Sequence, residues 1–397
     1  MSQAAPDLSA VSMDLGEDYP EIRASVRRIC ADFPGSYWRD LDEKEAYPSD
    51  FVQAMTDAGF LSALIPEEYG GAGLPLRAAG VVLEEIHACG GNAGATHAQM
   101  YTMGTVLRHG SAAQKSLYLP QIASGALRLQ AFGVTEPTSG TDTTKLKTRA
   151  VREGEEYVIN GQKIWTSRAL YSDLMLLLAR TTPLEDVKKK SEGLSVFLVD
   201  MRKAVGNGMT IRPIKAMINH NTTEVFFDNL RIPADSLIGQ EGQGLRCIMD
   251  GMNAERILVA HESIGDAKWF IKTAVKYANE RVIFDRPIGK NQGIQFPIAK
   301  AYAQTQAAEL MLRKSAAVYE ANQPCGEYAN LTKLLTAEAA WEAGEACMQT
   351  HGGFAYAREY DIERKWREAR VQRTAPISTN LILSYIAEHV LGLPRSY

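Results

Sequence analysis

The feature that most constrains this chain is a change of periodicity in its middle. From about residue 17 to 127 the apolar residues recur at helical spacing, as in Ala79-Gly80-Val81-Val82-Leu83-Glu84-Glu85-Ile86. Pro48-Ser49-Asp50 ahead of Phe51-Val52-Gln53 reads as an N-cap and helix start. From about 129 to 235 the pattern turns strand-like. Tyr157-Val158-Ile159, Asn160-Gly161 and Gln162-Lys163-Ile164-Trp165 have the form of a type I′ hairpin, because Asn-Gly accepts positive φ at both loop positions. Leu174 to Ala179, Leu194 to Val199 and Glu224 to Phe227 read as further strands. The glycine-rich stretch Gly239 to Gly244 then leads back into helical patterns that run to the end. The expected fold class is therefore α+β with several domains: helical over 17–127, β over 128–240 and helical over 241–397.

A chain of 397 residues has room for two or three such domains. With 43 Lys+Arg against 47 Asp+Glu the net charge is −4, which argues against a general nucleic-acid binder. Cys30, Cys89, Cys247, Cys325 and Cys347 are odd in number, widely spaced and free of any C-x-x-C pattern. They point to a reducing compartment and away from a disulfide scaffold or a cysteine zinc site. No apolar run approaches the ~18 residues of a membrane span. The acidic N-terminal stretch lacks Arg, unlike a signal or transit peptide, so a cytoplasmic location is expected. Gly70-Gly71-Ala72-Gly73 lacks a preceding strand and the third glycine of a dinucleotide loop, and reads as a turn between helices. Asp186 to Lys190 reads as a solvated loop.

The chemistry concentrates elsewhere. Gly133-Val134-Thr135-Glu136-Pro137-Thr138-Ser139-Gly140-Thr141-Asp142 is dense in hydroxyls and small residues, suited to offering N–H and O–H groups to an anionic or heteroaromatic ligand. Trp165-Thr166-Ser167 adds an aromatic plane beside a hydroxyl, a wall for a flat ring. A decorated surface turn has the same composition, so residue chemistry by itself leaves both readings open. His97, His109 and His220 have no metal-ligand spacing and read as structural or exposed; no metal site is expected.

Thr135-Glu136-Pro137 with Gly140-Thr141-Asp142, and Asn160-Gly161-Gln162-Lys163-x-Trp165-x-Ser167, resemble the signature of acyl-CoA dehydrogenases. Arg281-Val282-Ile283-Phe284 with Pro287-Ile288 and Gln292-x-Ile294-Gln295, then Gln349-x-x-Gly352-Gly353, then Arg367-Glu368-Ala369-Arg370, are similar to the same family in the same order. Pro66-Glu67-Glu68-Tyr69-Gly70-Gly71 resembles its N-terminal part, so the likeness spans nearly the whole chain. It implies an N-terminal α-helical domain, a central β-barrel-like or β-sandwich domain and a C-terminal four-helix bundle. It also implies non-covalent FAD, with a neighbouring subunit completing each site in a dimer of dimers. By position, Phe132, Val134, Thr135, Trp165 and Ser167 are implied to line the flavin, Ser167 standing where the family usually has Thr. Arg281, Phe284, Gln292, Gln349, Gly352, Gly353 and Ser378 are implied on the remaining cofactor contacts, and Thr141 and Arg256 on the substrate. A charge-assisted bond from Arg281 to pyrophosphate, and close backbone approach at Gly352-Gly353, fit those roles. His351 beside them is as suited to packing as to a ligand role. Gln99 to Met103 borders the acyl chain in such a fold, though its methionines also suit a core.

The family reaction removes an α-proton with a carboxylate and passes a β-hydride to the flavin. The usual loop position for that carboxylate is Pro376 here, and proline can supply neither a base nor an N–H to polarise the thioester. A second layout, as in isovaleryl- and long-chain acyl-CoA dehydrogenases, puts Glu before Arg on a helix. This chain has Asn253-Ala254-Glu255-Arg256 there. At about 100° per residue, Ile248, Met252, Glu255 and Val259 share a stripe, with Glu262 close to it. Glu255 is accordingly the expected base. The expected activity is FAD-dependent α,β-dehydrogenation of an acyl-CoA, with an electron-transferring flavoprotein as acceptor. A flavin oxidase or monooxygenase on the same fold, and a non-catalytic homologue that binds a CoA ligand, are the alternatives.

Overall fold

A computed structural model describes residues 17–396. Most of the acidic N-terminal stretch discussed above lies outside the described residues. The chain begins with α1 (Pro20–Ala31), α2 (Gly35–Lys44), α3 (Ser49–Asp57), α4 (Leu76–Ala88), α5 (Gly94–His109) and α6 (Ala112–Ala123). Strands follow: β1 (Leu129–Gly133), β2 (Arg149–Glu153), β3 (Glu156–Ser167), β4 (Leu174–Arg180) and β5 (Leu194–Asp200). A single turn, α7 (Met201–Ala204), precedes β6 (Met209–Pro213), β7 (Thr222–Pro233) and β8 (Leu237–Ile238). The last part holds α8 (Gly244–Glu280), the short β9 (Val282–Ile283) and β10 (Arg286–Pro287), then α9 (Gln292–Glu320), α10 (Gly326–His351), α11 (Ile362–Val371) and α12 (Thr379–Tyr385).

The sheet runs β6-β7-β3-β2-β4-β5-β8, with β1 parallel beside β4. Its centre explains how helices and strands become one body. Every residue of β4 is buried, and its side chains alternate between two cores. Leu174, Leu176 and Leu178 pack with Met103, Val106, Ile122 and Ile248 from the helices. Met175, Leu177 and Ala179 pack with Ile159, Val225 and Phe227 from β3 and β7. The apolar run read as a strand is thus the seam between sheet and helices.

Several expectations change in detail. Asn160-Gly161 is not a hairpin turn. β3 runs straight through it, because the turn to β2 is already made at Gly154-Glu155, where Glu153 pairs with Glu156. Opposite Asn160-Gly161 the β3–β7 register slips by a bulge, and Asn160 Oδ1 accepts from the Asn229 N–H at 2.9 Å. Glycine is required at 161 because a Cβ would sit 2.6 Å from the Thr148 Cα. The long-range pairing overrides a turn signal that is strong locally. α3 starts at Ser49 as expected, but Pro48 holds the cap position and no side chain caps the helix. The glycine turn at 70–73 leads into α4, and the 186–190 loop lies exposed between β4 and β5.

The 37-residue α8 is the organising strut, about 55 Å long at 1.5 Å per residue. From Ala254 to Ala267 it is buried on every face, under α4, α5, α9 and α10. The stripe through Glu255 therefore has no wet counterpart at this depth; the helix is enclosed, and Glu262 with it.

Candidate active site

The loop after β1 is stitched to β3 by a buried ion pair. The Glu136 carboxylate accepts from the Lys147 and Thr148 N–H groups, at 2.6 and 2.9 Å, and from Lys163 Nζ at 2.8 Å. Lys163 also donates to the Val134 carbonyl at 3.0 Å, and the Ile164 N–H to the Thr135 carbonyl at 2.9 Å. Burial pulls Lys163 down to about 8, while Glu136 is held below the usual carboxylate range because Lys163 and its other donors outweigh its own burial. The pair stays ionised at neutral pH, so Phe132, Val134 and Thr135 are fixed beside the end of β3. There a second bulge, between Lys163 and Thr166, turns Trp165 outward at φ 62 with 57% of its surface exposed. The Thr166 hydroxyl beside it is buried without a hydrogen-bond partner among the described residues. Ser167 is half-buried, and Thr141 is exposed in the loop.

Glu255 lies in the enclosed part of α8, 9% exposed. Burial pushes its carboxyl up to about 7, offset in part by His97 and Arg256 and reinforced by Glu262. A continuous set of side chains connects this region to β1. His97 Nδ1 is 3.1 Å from Glu262 Oε1, and its ring meets that of Tyr101 edge-on with centroids 5.3 Å apart. Tyr101 in turn meets Phe132 edge-on at 5.5 Å. Sequence reasoning read His97 as structural or exposed, and the buried ring paired with Glu262 is of the structural kind. It anticipated the 99–103 segment only in part. Met100 and Met103 belong to the helical cores, and Tyr101 is the residue that turns to the site.

On the other side of Glu255, Arg256 is 5% exposed. Its Nη1 donates to Asn253 Oδ1 at 2.9 Å, and its Nε has no partner among the described residues. The buried Lys333 donates to the Ile377 carbonyl at 2.7 Å, and burial followed by the nearby Arg256 charge pulls it down to about 8. The loop carrying Pro376 is thereby tied to α10. Ser378 uses its hydroxyl to cap α12, accepting from the Leu381 N–H at 3.4 Å.

The remaining expected cofactor residues gather at the far end of α8. Arg281 ends that helix, and the β9–β10 hairpin follows with Phe284 and Asp285 at φ 53 and 59. A tight turn with two positive φ values does exist, but here, and it presents Phe284 93% exposed. Arg281, Phe284, Gln349, Gly352 and Gly353 line one groove of about 930 Å³. The Arg281 guanidinium lies over the Phe354 ring at 5.4 Å. His351 gives its Nδ1 to the Cys347 carbonyl at 2.9 Å and stacks on Tyr277 at 4.0 Å, so packing and a backbone bond account for it. A side chain at Gly352 or Gly353 would meet open space, which leaves their backbone approachable. Gln292 is exposed at the start of α9, next to Asn291 on the groove wall but not lining it. The 26 residues from Glu255 to Arg281 amount to about 39 Å of helix. Within one chain, the groove and the Trp165–Glu255 region are two separate places.

Comparison with known proteins places the chain among oxidoreductases acting on CH–CH bonds. The chain belongs to the acyl-CoA dehydrogenase family: the family models for the N-terminal, middle and C-terminal domains of acyl-CoA dehydrogenase match residues 16–126, 131–230 and 242–391. An acyl-CoA dehydrogenase of Mycobacterium tuberculosis is 32% identical over 384 residues, covering 96% of this chain and 98% of that one. A cyclohex-1-ene-1-carbonyl-CoA dehydrogenase of Syntrophus aciditrophicus is 32% identical over 360 residues, covering 89% and 85%. The structure of a glutaryl-coenzyme A dehydrogenase complex with glutaryl-CoA superposes with a TM-score of 0.87 at 29% identity, covering 97% of each chain. FAD is the cofactor of this family. The described residues fit it: an unpaired buried hydroxyl at Thr166 beside an exposed indole, and a groove with a cation and bare glycine backbone. No described helix is long and apolar enough to cross a membrane.

Proposed function

We propose that this protein dehydrogenates an acyl-CoA thioester to the trans-2-enoyl-CoA, with Glu255 taking the α-proton. The observation that carries this reading is a buried carboxyl pushed up to about 7, near Tyr101, whose ring meets Phe132 on β1. A base poised near neutrality can accept a carbon acid's proton and release it again. FAD, when bound, supplies the acceptor for the β-hydrogen. Phe132, Val134, Thr135, Trp165 and Ser167 would hold its ring, and Arg281, Phe284, Gln349 and Gly353 its phosphate and adenine side. Gln292 and Ser378 are further candidates at the edges of that site. The separation of about 39 Å along α8 supports a site shared between two chains, each giving its groove to the other, as in a dimer or dimer of dimers. Thr141 and the open Nε of Arg256 are the proposed substrate contacts, Arg256 toward CoA phosphate.

In this reading the chain divides near residues 128 and 240, and an electron-transferring flavoprotein takes the electrons. The five cysteines are all free, which supports a reducing, cytoplasmic setting. The test is anaerobic titration of the yellow protein with a panel of acyl-CoAs, read by flavin bleaching and by loss of two hydrogens from the thioester. Bleaching with formation of the enoyl product supports the assignment. Turnover that requires oxygen would move the protein to the oxidases, and no bleaching by any thioester would remove the activity.

A further inference from the structure

Two of the five cysteines, far apart in sequence, meet where α1 packs on α4. The two helices run side by side in the same direction, and their ion pairs mark the register. Arg23 Nη1 donates to Glu84 at 2.8 Å and to Glu85 at 3.1 Å; one turn on, Arg27 Nε donates to Glu85 at 2.6 Å. Arg23, Arg27 and Cys30 are spaced four and three apart, so they share one face of α1. Glu85 and Cys89 are spaced four apart at the end of α4. The next step of the same register sets Cys30 against Cys89, and the two thiols hydrogen-bond to each other. Both stand at helix ends: Cys30 in the last turn of α1, Cys89 just past α4, where Gly90 at φ 87 turns the chain. Helix ends are the part of the ladder that is not fully bonded, so the adjustment that brings two thiols to disulfide geometry stays local.

The two members differ in access and in charge. Cys89 is exposed, whereas Cys30 is 8% exposed. The bond from Cys30, with the Arg27 and Lys272 cations, holds the Cys89 thiol below its ordinary value against burial and the Glu85 charge. That charge is itself engaged by Arg23 and Arg27. Cys30 is driven the other way, by its bond with Cys89 and then by burial. An exposed thiol in surroundings that favour the thiolate, backed by a buried protonated thiol, is the arrangement of a reacting and a resolving cysteine. Cys247, Cys325 and Cys347 contrast with it: all three are buried, and burial pushes each thiol up.

We infer that Cys89 and Cys30 form a peroxide-oxidised modification site, Cys89 as the reacting thiol and Cys30 as the one that resolves it into a disulfide. The Cys89 thiolate attacks one peroxide oxygen; an S–O bond forms, the O–O bond breaks, and hydroxide leaves to take a proton from solvent. The Cys30 thiol then attacks the sulfenic sulfur; the S–S bond forms, the S–O bond breaks, and water leaves with the Cys30 proton. In sum two thiols lose two electrons and two protons, and hydrogen peroxide becomes two waters. A dithiol reductant reverses the change, as for the transient disulfides of reducing compartments.

The test treats the FAD-loaded protein with hydrogen peroxide, removes the excess with catalase, alkylates in urea and maps the peptides by mass spectrometry. Alkylatable thiols should fall from five to three, with the Cys30 and Cys89 peptides joined and lighter by two hydrogens. Dithiothreitol should restore all five. In the Cys30→Ser variant Cys89 should be trapped by dimedone as the sulfenic acid and pass to the sulfinic acid on longer exposure. Cys30→Ala repeats this result if serine unsettles the buried end of α1. In the Cys89→Ser variant every remaining thiol should survive the same treatment. A Cys89 that peroxide leaves intact, a link between Cys89 of two chains in place of the internal one, or oxidation of Cys247, Cys325 or Cys347 ahead of Cys89 overturns the inference. None of these readouts depends on an acyl-CoA, so the dehydrogenase reading stands or falls separately.

Discussion

Replacing Glu255 by Gln should make the protein more stable, and by an amount that depends on pH. Burial raises this carboxyl from the ordinary 4.5 to about 7, so ionising it in the folded state costs more than in the unfolded chain. The sign follows from linkage. Below pH 4.5 both states hold the proton and the cost is absent. It grows as pH climbs toward 7, where the unfolded chain has lost the proton and the folded one has not. Above 7 it is complete. The gap of about 2.5 pH units at 1.36 kcal/mol each gives about 3 kcal/mol. Glutamine has the same shape and no charge, so the Glu255→Gln variant recovers up to that amount at pH 8 and little at pH 4.5. The assay is urea unfolding of both proteins across that range, with flavin saturating. A variant no more stable than wild type at pH 8, or one whose advantage is largest at low pH, would refute the claim that desolvation governs this group. Stability lost in exchange for a poised base is the pattern expected at an active site.

Two other perturbations probe the rest of the site. Lys163→Met strands the Glu136 carboxylate in a buried setting and should cost about 3–5 kcal/mol in urea unfolding, with loss of flavin, because the loop of Val134 and Thr135 loses its anchor. Phe284→Ala removes a ring that is 93% exposed, so the chain's own stability should change by less than about 0.5 kcal/mol. If the groove serves a second chain, flavin affinity and oligomer size by gel filtration should nevertheless fall.

The helical, β, helical order was legible because it rests on local periodicity, and β4 and β5 were legible because fully buried strands read as continuous apolar runs. Asn160-Gly161 misled for a related reason: the turn signal is local, but the bulge against Asn229 is set by a strand far along the chain. Glu255 was found by motif position, and the helical stripe added less than expected, since α8 is enclosed on all sides there. The His97–Glu262 pair left no trace in the sequence, because its members are distant along the chain and only the packing of α5 on α8 joins them. Glu136 stands inside the Thr135-Glu136-Pro137 motif without an assigned role; its carboxylate is spent on holding that loop to β3.

The central claim is that Glu255 removes the α-proton. Stopped-flow mixing of wild type and the Glu255→Gln variant with a saturating acyl-CoA, without oxygen, tests it most directly. The variant should keep its bound flavin and reduce it two to four orders of magnitude more slowly, the range of a lost general base. Reduction at the wild-type rate would show that another group takes the proton.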